Sequence, residues 1–121
     1  MFLFGVLIAS AMTVKDEAQI EDYIAYVSQK EGINVSLFLG ITRAESGFKP
    51  NAKNPVSTAS GVMQFLDSTF KNYCIKKYKM TDTIADKNHP AIQVNCSAEM
   101  LKEPKGYLHW WESSYAWKQF L

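Results

Sequence analysis

Glu45 lies in the run Arg43-Ala44-Glu45-Ser46-Gly47-Phe48-Lys49-Pro50, where an apolar helix is expected to stop, and Gly61-Val62-Met63-Gln64 follows within a short span. A lone carboxyl in that setting suits general-acid chemistry. Phe38, Ile41 and Glu45 fall at i, i+3 and i+7, which puts the carboxyl on the apolar stripe of its helix. Burial there disfavours the anion, and so does the negative end of the helix dipole. A group so placed tends to hold its proton near neutral pH, as an acid catalyst must. Gly47 suits a left-handed turn that reverses the chain beneath the carboxyl. The same pattern also admits a glutamate that simply points into solvent from a helix end.

Other residues with reactive side chains read more plainly. Cys74 and Cys96 are the two cysteines. In an oxidising compartment they are expected to pair, and closing a loop of that size stabilises by roughly 3 kcal/mol through chain entropy. A metal site needs more ligands than these two, and His89 and His109 have no ligand-like spacing to them. Asp67, Asp82 and Asp86 read as caps or turn residues and not as a second catalytic carboxylate. No cofactor is implied.

The elements that must position Glu45 are helical. Residues 16–30 place acids in a first turn, repeat Ile20, Ile24 and Val27 on one face, and stop at Gly32. A second helix covers 35–46, with Asn34 or Ser36 as its cap. Pro50 and Pro55 make 48–60 a loop. Asp67 can cap a helix running to about residue 79, with Phe70, Tyr73 and Cys74 facing inward. Asn88 or His89 precedes Pro90, a favoured first helical residue, and opens a helix through Ile92, Cys96 and Met100. Pro104-Lys105-Gly106 breaks the chain before a last segment over 108–120. No convincing strand is present, so the expected fold class is all-α, in one small domain.

Composition agrees. At 121 residues there is room for one core, and 47% hydrophobic with 13% aromatic residues indicates an ordered globule. A net charge of +1 exerts no general pull toward nucleic acid, and Lys76, Lys77 and Lys79 read as a solvated helix face. The apolar run from Phe2 to Ala11 is too short to cross a bilayer of roughly 30 Å as a helix. Its small residues Ala9-Ser10-Ala11 fit a cleaved export signal over residues 1–12, although basic residues before it are missing; a helix docked on the core is the alternative.

The pattern Ile41-x-Arg43-x-Glu45-Ser46-x-Phe48-x-Pro50-x-Ala52, then Ser57-Thr58-Ala59-Ser60-Gly61-Val62-Met63-Gln64-Phe65, then Thr69, resembles the soluble lytic transglycosylase family of lysozyme-like folds. The resemblance is close over residues 35–73 and weaker elsewhere. It implies a small goose-type lysozyme-like helical domain over 13–121, with a sugar-binding cleft for peptidoglycan glycan strands. It implies cleavage of the β-1,4 bond between N-acetylmuramic acid and N-acetylglucosamine to leave 1,6-anhydro ends. Glu45 would be the catalytic acid and then base, with the substrate's acetamido group assisting in place of a second carboxylate.

Further positions carry over from the resemblance. Ser46 would orient a substrate group, Gly61 would let the backbone approach the sugar, and Met63 and Gln64 would line the cleft. For Met63, core packing is the competing reading, and Phe65 reads as core. The family's Ala-Tyr-Asn-Ala-Gly run is where this sequence departs: Ser113-Ser114-Tyr115-Ala116-Trp117 keeps a tyrosine but neither the asparagine nor the glycine. Tyr115 would then supply the hydroxyl over the acid. Trp110, Trp111 and Trp117 offer faces for packing or for stacking on sugars. Two further readings stand beside the transglycosylase: a muramidase-type hydrolase on the same fold, and a wall-binding module without turnover. An exported monomer is expected.

Overall fold

The first two expected helices carry their own stop signals, Gly32 and Gly47, and those signals are used. The computed structural model describes residues 13–104. The expected export signal over 1–12, the expected last segment over 108–120, Tyr115 and the three tryptophans lie outside the described residues.

Helix α1 spans Glu17–Glu31. Asp16 accepts from the Gln19 backbone N–H at 2.8 Å, and Gln19 Oε1 accepts from the Asp16 N–H at 3.1 Å, a reciprocal capping box. Gly32 ends the helix in the left-handed region at φ 70°. Helix α2 spans Val35–Ser46, and of its two candidate caps Asn34 takes the role, accepting from Leu37 N–H at 2.9 Å. Gly47 closes it at φ 61°.

The third helix departs from expectation. Asp67 is not its cap but its first residue; Leu66 occupies the cap position and offers no side-chain bond. Thr58 Oγ1 takes over, accepting from the Asp67 N–H at 3.0 Å, while the Asp67 carboxylate pairs with Lys87 at 2.7 Å. After one α turn, Asp67–Thr69 (α3), the chain widens into a π-helix over Phe70–Lys77. Two fixed points hold this stretch: the Thr58 and Lys87 contacts at its start, and the disulfide from Cys74, within it, to Cys96. A wider turn lets one segment meet both. Phe70 and Cys74 face inward and Tyr73 is half-buried. The helix stops at Lys77, two residues short of the expected end, and Lys79 follows at φ 54°. A 3₁₀ turn at Ile84–Asp86 leads to α4, Pro90–Lys102, with His89 at the cap position and Pro90 in the first turn.

Helix α1 packs against both α2 and α4, and α4 against the π-helix. The core between them is built from Ile20, Ile24, Phe38, Phe70, Val94 and Met100, all fully buried. Among the described residues no strand forms; only isolated bridges, Lys53 with Ser60 and Ser60 with Phe65, shape the long loop between α2 and α3. No described helix is long and apolar enough to cross a membrane.

Cys74 and Cys96 form a disulfide across 22 residues of sequence, both side chains fully buried. A loop of that length constrains the unfolded chain by about 3 kcal/mol. Replacing both cysteines by serine is therefore expected to lower Tm by roughly 15 °C, read by calorimetry.

Candidate active site

The last turn of α2 carries Glu45, and the turn that follows is held tightly. Gly47 and Phe48 both adopt positive φ, at 61° and 66°. For phenylalanine this conformation is unfavourable. Burial of the Phe48 ring to 7% exposure, with the Arg43 guanidinium 5.5 Å over it, offsets the cost. Glu45 itself is 8% exposed, so its side chain turns in toward the protein and not out to bulk water.

One turn earlier on the same helix, fully buried Thr42 donates through Oγ1 to the Phe38 carbonyl at 2.9 Å. The same oxygen lies 3.4 Å from Met63 Sδ. This contact brings the loop carrying Gly61 to Gln64 against α2, one helical turn from Glu45. The Ser46 hydroxyl turns back along the helix, 3.5 Å from the Thr42 carbonyl. Met63 is fully buried and belongs to the core, as does Phe65, whose ring meets that of Phe70 edge-on at 6.2 Å.

Gln64 is also a left-handed residue, at φ 52°, and only 6% exposed. Its amide nitrogen donates to the carbonyls of Gly61 at 2.9 Å and Ala52 at 3.0 Å. Both amide protons are thereby committed to the loop, which leaves Oε1 to act as an acceptor. The loop is closed further by the Gly61 N–H donating to the same Ala52 carbonyl at 2.8 Å.

Two residues that the sequence reading passed over hold this loop from beneath. Gln93 is fully buried and bonds to the Met63 N–H and to the carbonyls of Ser60 and Lys87. Lys87, only 6% exposed, donates from Nζ to the Thr58 carbonyl at 2.6 Å and pairs with Asp67. The signal for Gln93 was available. It falls three residues before Cys96 and seven before Met100, on the inward face of α4, and a polar side chain there demands partners. Gly61, at φ 83°, stands over this amide: a Cβ on it would lie 2.2 Å from Gln93 Nε2.

Among the described residues no cluster of three or more His, Cys, Asp or Glu is placed to hold a metal ion. A separate recess between α1 and α4, lined by Tyr23, Tyr26, Asn95 and Glu99 among others, contains neither Glu45 nor Gln64. There the Tyr23 hydroxyl donates to Asn95 at 2.8 Å, and burial pushes its pKa above the usual phenol value.

A helical fold with a buried glutamate closing one helix, and a glycine-methionine-glutamine loop docked beside it, defines a lysozyme-like class of domain. The family model described as the Transglycosylase SLT domain matches residues 22–119, and the chain belongs to that family, whose substrate is peptidoglycan. Comparisons with curated proteins and with solved structures return no match.

Proposed function

We propose that this protein is a peptidoglycan lytic transglycosylase in which Glu45 serves as acid and then as base. The supporting observation is the buried carboxyl at the end of α2, one turn from the Thr42 contact with the Gly61-to-Gln64 loop. Burial and the negative end of the helix dipole both act against the anion there, which suits a proton donor. Glu45 donates its proton to the glycosidic oxygen between N-acetylmuramic acid and N-acetylglucosamine as the C1–O4 bond breaks. The muramyl acetamido oxygen shares the positive charge that develops at C1, so no second carboxylate is needed. Glu45, now an anion, takes the proton from the C6 hydroxyl, and that oxygen closes on C1. The 1,6-anhydro ring forms, and the proton balance of the enzyme is restored without water.

The neighbouring residues take supporting parts in this reading. Gln64 presents Oε1 as an acceptor for a substrate N–H or O–H, since its own donors are spent within the loop. Ser46 orients a substrate group beside the acid, and Gly61 and Met63 shape the wall behind Gln64. Tyr115 is the residue this reading assigns to supply the hydroxyl that the family sets beside the acid. The protein acts as an exported monomer on glycan strands outside the cytoplasm, with residues 1–12 directing export.

Mass spectrometry of digested peptidoglycan tests the reaction. Anhydromuramyl ends are the expected product. Reducing ends would identify a muramidase-type hydrolase instead, and no release would identify a wall-binding module.

A further inference from the structure

The loop that bears Gln64 is read almost atom by atom by a short stretch of chain on the other side of the core. Lys87 Nζ donates to the Thr58 carbonyl at 2.6 Å. Asn88 Oδ1 accepts from the Ser60 hydroxyl at 2.8 Å. Gln93 Nε2 donates to the Ser60 carbonyl at 3.1 Å and to the Lys87 carbonyl at 2.7 Å, while its Oε1 accepts from the Met63 N–H at 2.7 Å. Of these, Gln93 alone reaches both sides of Gly61, and it alone is fully buried.

We infer that Gln93 is a positioning residue for the active site, setting where the Gly61-to-Gln64 turn, and hence the Gln64 carboxamide, stands relative to Glu45. This inference rests on the proposed function for its catalytic readout. The chemistry of the side chain is specific. One acceptor and two donors on a single planar group match one N–H and two carbonyls. Glutamate would keep the acceptor and lose the donors, methionine would keep the volume and lose both, and asparagine is one carbon too short. Among the described residues the Gln64 amide nitrogen bonds to the carbonyls of Gly61 and Ala52, so its direction follows the turn. The turn in turn follows Gln93 through the Met63 N–H.

The consequence separates positioning from mere stability. Gln93→Glu and Gln93→Met are compared with Ile24→Ala, a core truncation on α1 that removes no hydrogen bond to the loop, all at a temperature well below each Tm. Folding is checked by near-UV circular dichroism. All three lower Tm. The two Gln93 variants are expected to lose about 10²-fold in kcat on purified glycan strands, as misplacement by an ångström does. Ile24→Ala is expected to keep wild-type kcat.

Affinity for chitotetraose, read by titration calorimetry, supplies a readout that needs no turnover. It should fall in the Gln93 variants and hold in Ile24→Ala. Folded Gln93→Glu with wild-type kcat and wild-type affinity would overturn the inference and leave the proposed function standing. A wild-type protein that binds chitotetraose without releasing anhydro ends would overturn the function, and the affinity comparison would still decide the role of Gln93. A wild-type protein that neither binds nor cleaves overturns both.

Discussion

Glu45→Gln is expected to abolish release of anhydro-ended fragments while the domain stays folded. The same carboxyl is asked to give a proton in one step and take one in the next. A positioned acid or base is worth about 10²- to 10⁴-fold in a single step. An amide can do neither, so kcat should fall by on the order of 10⁴-fold or more. Stability moves little, because glutamine preserves the volume of a side chain that is only 8% exposed and adds no charge to the interior. Thermal unfolding of the variant is therefore expected within a few degrees of wild type. Glu45→Asp retracts the carboxyl by one carbon and should lose about 10²-fold through misplacement. A Glu45→Gln protein with full lytic activity would end the assignment of the acid.

The parts of this molecule that were legible in the chain are those whose causes are local. Gly32 and Gly47 stop their helices where a left-handed residue was needed, and Asp16, read as an acid of the first turn, stands one place earlier as the cap, with Gln19 answering it. The inward stripe of Ile20, Ile24 and Val27 follows from helical spacing alone. Glu45 belongs to the same group, since its burial follows from sharing a stripe with Phe38 and Ile41.

What was not legible depends on partners far away in sequence. Asp67 has the composition of a cap, yet its carboxylate goes to Lys87, and Thr58 caps the helix from the preceding loop. No local pattern encodes that exchange. The π-helical stretch is equally hidden, because its anchors lie at Thr58 in the loop before it and at Lys87 and Cys96 after it. Met63, read either as lining the cleft or as core, is fully buried with its sulfur on Thr42, a contact 21 residues away in sequence. The reading of Gly61 shifts in the same way. The close approach that needs a glycine here is to Gln93, from the opposite side of the core, whatever the outer face of the loop meets.

That approach sets the second large effect, expected for Gly61→Ala. A methyl group there would stand 2.2, 2.7 and 2.8 Å from Nε2, Cδ and Oε1 of Gln93, distances that no real contact tolerates. Gln93 has nowhere to withdraw, being fully buried and bonded at three atoms of the surrounding backbone. Either the turn lifts or the amide breaks its bonds. Holding alanine at φ 83° adds about 1 kcal/mol, and stranding buried N–H and carbonyl groups adds about 1–3 kcal/mol for each group left bare. A loss of about 4 kcal/mol is a large share of the 5–15 kcal/mol that holds a domain together. It should lower Tm by roughly 20 °C, measured by calorimetry. The cause can be isolated, because removing the obstacle removes most of the cost. In a Gln93→Ala background the three atoms nearest the added methyl are gone, and Gly61→Ala should then cost much less than in the wild type. The two substitutions are expected to be non-additive by about 2 kcal/mol, the double variant being more stable than the sum of the single losses predicts. Strict additivity would mean that residue 61 and the Gln93 amide do not meet, and the support drawn here beneath Gln64 would fall with that contact.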